Sequence, residues 1–230
     1  MKKSKINVKD CLRILFKILI IIFFSLKVSS NEISIKINGN NFTDQLAIYS
    51  LIKDNPKEMS EEYSNYLLKT LDKSLLFENV SVIMNDNAYI ITVKEYPNIS
   101  SINFNLNERF EDEELIDFSK ELNLNNLNPL SIKNFKLEIQ NLYESLGYNN
   151  ININHYSNIN TKTNTADIYF EVNEGTITKI NNIYFSGNEN IDKQTLRSII
   201  TSKTKSLINI FANNSFKKSK IINDSRKIKN

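Results

Sequence analysis

Apolar and polar residues alternate with a period of two in three separate stretches of the chain. These stretches are ISIKINGN (33–40), ISSINFNLN (99–107) and ITKINNIYFSGN (177–188). Such alternation is typical of a half-buried β-strand. The first and third stretches end in Gly-Asn, whereas the second ends in Leu106-Asn107. The pattern predicts three copies of one strand, with left-handed backbone at the last step only where glycine stands.

Each predicted strand is followed by a short amphipathic segment. The segments are FTDQLAIYSLI (42–52), FEDEELIDFSKEL (110–122) and IDKQTLRSII (191–200), and each begins with Thr43 or with Asp residues able to cap a helix. The carboxylate run 111–114 suits the positive end of a helix dipole, and no histidine lies near it. We therefore interpret the run as a helix start and not as a metal site or an acid-base pair.

A longer helix is predicted next in the first two copies. Ser60 is the expected N-cap of the first, and Ser131 and Gly147 are expected to open and close the second. Apolar residues at helical spacing predict the buried stripe of each helix. In the first these are Tyr63, Leu67, Leu71 and Leu75, and in the second Ile132, Phe135, Ile139, Leu142, Tyr143 and Leu146.

A β-hairpin is predicted after each long helix. NVSVIMNDNAYIITVKE (79–95) breaks at 85–87, and ININHYSNINTKTNTADIYFEVNEG (151–175) has a longer connection. The whole unit is strand, helix, helix, strand, strand, and self-similarity at this period indicates a domain array. The third copy reaches the end of the given sequence in its second helix, so we expect residues after about 203 to be poorly ordered.

The first thirty residues have the layout of a signal peptide. A basic segment precedes an apolar run, ILFKILIIIFF, and small residues follow it, which favours cleavage after Ser30, with Val28 and Ser30 as the small residues before the cut. The apolar run Ile18 to Phe24 is much shorter than the roughly 20 residues of a membrane-spanning helix. The sole cysteine, Cys11, would leave with this leader.

Charge is distributed unevenly along the remaining chain. Residues 31–202 hold 14 Lys or Arg against 24 Asp or Glu, while residues 203–230 hold eight Lys or Arg and one acid, Asp224. An acidic body argues against a nucleic-acid surface, which needs clustered bases. The basic tail is interpreted as a helix with a solvated basic face or as a frayed end; in isolation such a segment could bind anionic lipid or nucleic acid.

The order of these motifs resembles the polypeptide-transport-associated (POTRA) domain, and their details resemble the BamA family of outer-membrane assembly factors. The residues that carry the likeness are the Gly-Asn steps at 39–40 and 187–188, LLFENVSV (75–82), VKEYPNISSINF (93–104), LYESLGYNNINI (142–153) and EVNEGTITKINNIYFSGN (171–188). The resemblance extends from residue 32 to about 230.

The resemblance implies an α+β fold of tandem β-α-α-β-β domains, each a three-stranded sheet covered by two helices. The expected divisions are a signal peptide at 1–30, POTRA 1 at 31–97, POTRA 2 at 98–175 and an incomplete POTRA 3 at 176–230. The family's membrane barrel is expected to be absent from this sequence, so the chain is expected to be a truncated product.

The family further implies a periplasmic protein associated with the outer membrane. Its expected partners are unfolded outer-membrane β-barrel proteins and assembly-complex lipoproteins, bound by β-augmentation, with no nucleic acid and no cofactor. The second strand of each domain is the expected exposed edge. The candidate binding residues are Val80, Ser81, Val82, Ile83, Met84, Ile151, Asn152, Ile153, Asn154 and His155.

Other functions remain as alternatives. The module also occurs in two-partner secretion and translocation-assembly proteins, and a free-standing periplasmic adaptor is a further possibility. A division-type protein is disfavoured, because it usually has one such domain after a retained anchor. Catalysis is disfavoured because His155 is the sole histidine and the four glycines, at 39, 147, 175 and 187, are dispersed. No catalytic or metal-binding residue is predicted.

Overall fold

The computed structural model describes residues 33–205 and 213–229. The predicted signal peptide, with Cys11, Val28 and Ser30, lies outside the described residues. Within the described ranges, no helix combines the length and the apolar content needed to cross a membrane.

The described chain contains six strands and six helices, and the predicted α+β class is confirmed. The first unit consists of β1 (Ser34–Asn38), α1 (Gln45–Leu51), α2 (Glu61–Lys73), β2 (Phe77–Asn85) and β3 (Ala88–Glu95). The second unit consists of β4 (Asn98–Asn105), α3 (Asp112–Glu121), α4 (Pro129–Leu146), β5 (Asn152–Asn160) and β6 (Thr165–Asn173). The third region contains α5 (Lys193–Ile199) and α6 (Lys218–Lys229).

The two sheets share one topology. Their strand orders are β1-β3-β2 and β4-β6-β5, so the last strand of each unit is central. The central strand pairs in parallel with the first strand and antiparallel with the second. The parallel pairing requires a crossover, which the two helices of each unit provide.

Each unit has its own apolar core between the sheet and its helices. In the first, Leu67 and Leu71 of α2 pack with Ile91 of β3. In the second, the rings of Phe135 of α4 and Phe170 of β6 meet edge to face at a centroid distance of 5.1 Å. Both predicted helical stripes are therefore confirmed at their centres. Leu75 of the predicted stripe lies beyond the end of α2, in left-handed backbone.

The helix starts follow the capping chemistry, with three corrections. Ser60 caps α2 as predicted, and Gly147 ends α4 in left-handed backbone. Asp44, not Thr43, caps α1, and Glu111, not an Asp residue, is the N-cap of α3. The α4 helix begins at Pro129 behind the N-cap Asn128, earlier than the predicted Ser131, because proline fits the first helical turn where no backbone donor is needed.

The asparagine of the strand-to-helix step makes the same bond in all three copies. The side-chain amides of Asn40, Asn107 and Asn188 each donate to the backbone carbonyl three residues later, at 3.2, 3.0 and 2.9 Å. Because this bond closes the turn without help from the preceding residue, the asparagine is the constant element of the step.

The prediction of left-handed backbone only at the glycines is wrong. Leu106 has φ +65°, close to the +83° of Gly39 and the +74° of Gly187. A non-glycine residue tolerates this conformation at a cost of roughly 1 kcal/mol when neighbouring bonds hold the turn. Glycine is needed at 39 for a second reason, since a Cβ there would stand 2.1 Å from the Val93 carbonyl oxygen, whereas nothing lies within 4 Å at Gly187.

A buried glutamate at the end of the central strand secures the same loop in both units. Glu95 accepts the backbone N–H groups of Phe42 and Thr43, with the shortest bond at 2.6 Å. Glu174 accepts those of Glu108 and Arg109 at 2.8 Å through Oε1, which also accepts the Tyr143 hydroxyl at 2.8 Å. Burial and the bond to Glu174 raise the pKa of Tyr143, so its hydroxyl stays a proton donor.

The two units meet through a side-chain bond beside the end of the first unit. Within the first unit, Tyr96 donates its N–H to the Leu76 carbonyl at 3.0 Å, and the side-chain amide of Asn126 in the second unit donates to the neighbouring Leu75 carbonyl at 2.9 Å. The left-handed backbone of Leu75 follows the end of α2. The end of α2 is thereby attached to the loop before α4.

That loop also bridges the start of β4. Leu127 donates to the Pro97 carbonyl at 2.9 Å, and Ile99 donates to the Asn125 carbonyl at 2.8 Å. The third region repeats this pair of bonds, from Phe216 to Thr178 at 2.7 Å and from Ile180 to Asn214 at 2.8 Å. The repeat seen in the sequence therefore includes the pairing of this loop with the start of the first strand.

The strand predicted at 177–186 is absent, which corrects the reading of the third stretch. Its one sheet-like contact is the isolated bridge from Lys179 to Ser215. In the described part of the chain no central strand lies beside residues 180–186, and an alternating segment without a partner leaves its backbone groups to water. Alternation alone therefore did not suffice for a strand here.

Asp224 attaches α6 to the rest of the third region. Its carboxylate accepts the N–H and hydroxyl of Thr201, both at 2.7 Å, and the N–H of Ser202 at 2.8 Å. Burial alone would raise the pKa of Asp224, but hydrogen bonds from Ser202 and Thr201 outweigh it and lower the pKa. For residues 213–229, the expectation of poor order is not what the structure shows; residues 206–212 lie outside the described ranges.

Replacing Glu174 should destabilise the second unit. Glu174→Ala leaves two loop N–H groups and the buried Tyr143 hydroxyl without their acceptor, so we expect the free energy of unfolding to fall by about 3 kcal/mol. Urea denaturation of the whole chain measures this loss. Glu121→Ala, at an exposed position in α3, should change it by less than about 0.5 kcal/mol. Equal effects of the two variants would contradict this role.

Removing the charge of Asp224 should loosen α6. Asp224→Asn weakens bonds to a charged acceptor worth about 1.5 kcal/mol or more, so we expect amide exchange across Lys218–Lys229 to accelerate about tenfold. Because the folded pKa is depressed, the carboxylate's contribution is present above the ordinary aspartate pKa and is lost as pH falls through the lower folded value. Exchange in α6 that is equally fast in both proteins would contradict the contact.

Candidate peptide-binding edges

The second strand of each unit lies at the edge of its sheet. Both β2 and β5 pair with the central strand on one side, and no described strand pairs with the other side. An edge strand exposes backbone N–H and C=O groups that an added strand can bind. All ten candidate residues lie on these edges, or immediately before β5 in the case of Ile151.

Along β2 the candidate residues alternate between the core and solvent. Val80 and Val82 pack against the first core. Ser81 is exposed, and Ile83 and Met84 expose 61% and 41% of their surface. The far end of β2 therefore offers apolar side chains as well as a free backbone.

Along β5 the same alternation continues from the preceding residue. Ile153 is buried in the second core and Ile151 packs against it, while Asn152 and Asn154 are exposed. The ring of His155 lies 6.0 Å from that of Phe170, so His155 shares the core-facing side with Ile151 and Ile153 but remains exposed at the edge.

The opposite edges of the two sheets are partly occupied. The bridge between Asn98 and Asn126 covers the start of β4. On β1, the Tyr49 hydroxyl donates to the Ile35 carbonyl at 2.7 Å. We therefore place the candidate sites on β2 and β5.

A groove with a volume of about 360 Å³ runs between β5 and α4. A bound strand beside β5 would lay its side chains in this groove. The groove is lined from the helix by Pro129, Ile132, Lys133, Lys136, Leu137 and Gln140, and from the strand by Ile151, Asn152, Ile153 and His155.

The groove is basic at the end that holds His155. Burial lowers the pKa of His155 below its ordinary value, and the positive charge of Lys136 lowers it further. His155 is therefore neutral near pH 7, while Lys133 and Lys136 bring positive charge from α4.

The residues predicted from the sequence lie on the strand side of the groove, and none of them lies on its helix side. Lys133, Lys136 and Leu137 were not among the candidate residues. A helical projection of α4 contains the signal, because Lys136 lies next to the core positions Ile132, Phe135 and Ile139. The sequence pattern does not show that α4 packs beside β5, so Lys136 could not be assigned to the same site as His155.

The arrangement is suited to binding an extended chain by strand addition. Backbone hydrogen bonds would supply affinity, and alternate side chains in the groove would supply selectivity. Among residues 33–205 and 213–229, no group of three or more His, Cys, Asp or Glu residues is arranged to hold a metal ion.

Comparison with known families identifies the second unit. Residues 97–175 match the POTRA family model, described as a surface antigen variable number repeat. The matched range includes β4, β5 and β6 with both helices between them, and hence the whole of the β5 groove.

Solved POTRA structures are similar to most of the chain at low identity. POTRA3-5 of BamA from Haemophilus influenzae is 15% identical, with 85% of this chain and 83% of that chain covered and a TM-score of 0.41. The N-terminal domain of Omp85 from Thermosynechococcus elongatus is 11% identical, with the same coverages and a TM-score of 0.45. POTRA1-3 of Omp85 from Anabaena is 14% identical, with 86% and 82% covered and a TM-score of 0.43. No curated protein matches the sequence.

Neutralising Lys136 should raise the pKa of His155 in the second unit. Lys136→Gln removes a positive charge that disfavours the imidazolium, while the burial of the ring is unchanged. Because the chain has one histidine, a proton NMR titration reads this group without ambiguity. Lys120→Gln, on the exposed surface of α3, is the matched control and should leave the titration unchanged. Identical curves for all three proteins would contradict the proximity of Lys136 and His155.

Proposed function

We propose that this chain is the periplasmic POTRA region of an outer-membrane protein assembly factor of the BamA family. In this proposal it binds unfolded outer-membrane proteins and assembly-complex lipoproteins by β-augmentation. The POTRA match of residues 97–175 supports the module. The observation that carries the binding role is the unpaired edge of β5 beside an open groove.

The proposed role follows from the chemistry of a free strand edge. Backbone donors and acceptors recognise any extended chain, whatever its side chains. Unfolded outer-membrane proteins share alternating polarity and no common sequence, so recognition through the backbone is suited to them. The role is one of binding, with no catalytic step.

The proposed organisation of the chain follows the repeat. It comprises an exported leader at 1–30, POTRA 1 at 31–97, POTRA 2 at 98–175 and a third POTRA segment at 176–230. The binding edges are Val80–Met84 on β2 and Ile151–His155 at the start of β5. The repeated hydrogen bonds of the connecting loops support the periodicity.

Proline on the edges should block strand addition. Ser81→Pro and Asn152→Pro each remove a backbone donor from an edge, so we expect crosslinking to an unfolded outer-membrane protein to fall about tenfold. Ser81→Ala and Asn152→Ala are the matched controls, because they change the side chain and keep the N–H. Urea denaturation reports whether each variant keeps its fold.

A second measurement does not depend on proline being tolerated. Client binding to the unmodified chain should slow amide exchange along β2 and β5 and leave the exposed surface of α3 unchanged. Unchanged crosslinking in folded proline variants, together with unchanged exchange on both edges, would refute strand addition.

A further inference from the structure

The groove beside β5 combines apolar contacts with charge of one sign. Lys133 and Lys136 line it from α4 and His155 lines it from β5, and none of the described residues lining the groove is Asp or Glu. This is unlike the acidic body of the chain, in which carboxylates outnumber bases. A partner that fits the groove must therefore tolerate or complement positive charge.

The order of side chains along β5 defines a pattern. Ile151, Ile153 and His155 lie on the helix-facing side at every second residue. A strand added beside β5 would lay its own alternate side chains opposite these three. Two of them would meet apolar surface, to which Leu137 adds from α4, and the third would meet Lys136 and His155.

We propose that the β5 groove selects extended segments with two apolar residues at alternate positions and an acidic residue at the next alternate position. In a parallel bound strand the pattern is apolar-x-apolar-x-acidic, and in an antiparallel one it is the reverse. The carboxylate binds between Lys136 and His155. This selectivity rests on the proposed strand addition and adds a side-chain preference to it.

The first unit does not share this feature. The edge of β2 ends in the exposed apolar side chains of Ile83 and Met84. A depression on the neighbouring α2 is lined by two acids and two bases and by no residue of β2. The acidic preference therefore belongs to the second unit, and the two edges differ in the segments that they favour.

Lysines near a free edge can also act only to prevent self-association. That role and the proposed one make different predictions for Lys136→Gln. If Lys136 only protects the edge, the variant self-associates more and shows an unchanged ratio of affinities for acidic and neutral peptides. If Lys136 binds a carboxylate, that ratio falls towards one.

The test uses the whole chain and fluorescent peptides of nine residues, the length of β5. One peptide carries the pattern in the forward order and a second carries it in the reverse order, each with Glu at the acidic position. Two control peptides are identical to these except that Gln replaces the Glu. We expect each Glu peptide that binds to bind about three- to fivefold more tightly than its Gln partner. The preference should shrink at about 0.5 M salt, where charge interactions are screened.

Three variants separate the outcomes. Lys136→Gln should abolish the preference for the Glu peptides, and Lys120→Gln should leave that preference unchanged. Asn152→Pro should weaken the binding of the Glu and Gln peptides to the same extent. Equal affinities of Glu and Gln peptides, with both weakened by Asn152→Pro, would overturn the acidic preference and leave strand addition standing. Binding that Asn152→Pro does not weaken in a folded chain would overturn strand addition and the preference with it.

Discussion

One carboxylate oxygen joins the principal parts of the second unit. Glu174 Oε1, just beyond the central strand β6, accepts two backbone N–H groups from the loop between β4 and α3 and the hydroxyl of Tyr143 on α4. Because β6 pairs with a strand on each side, a group bonded to its end is held in a fixed position relative to all three strands. Through Tyr143 this attachment holds the C-terminal end of α4, the helix whose preceding turns line the groove.

The same geometry explains why the groove can be open while the unit stays folded. The core lies on the helix-facing side of the sheet, between α4 and β6, where Phe135, Ile168 and Phe170 are buried. The edge of β5 contributes little to that core beyond Ile153. Stability and binding thus use different parts of one sheet, so the free backbone of β5 costs the fold little.

The sequence predicted the features that depend on neighbouring residues. Alternation located six strands, capping residues located the helix starts within three residues, and the break at 85–87 located a hairpin. The missed features depend on contacts between distant residues. Leu106 has left-handed backbone next to a loop that is bonded to Glu174. Glu174 accepts the N–H of Glu108 in that loop, although the two residues are 66 positions apart in the sequence. Lys136 joins the candidate site only because α4 packs beside β5, and residues 177–186 fail as a strand because no described strand lies alongside.

The connection between units has a consequence for avidity. The bonds that attach the loop before α4 to the start of β4 lie within the second unit, and they recur between residues 214–216 and 178–180 in the third region. Asn126 of the same loop also donates to the Leu75 carbonyl beyond the end of α2, and this bond between the first two units limits how freely β2 and β5 can move relative to each other. One unfolded chain that reaches both edges would experience the second at a high local concentration after binding the first. If both edges bind by strand addition as proposed, weak binding at each edge would hold a long client firmly while every single contact still exchanges rapidly.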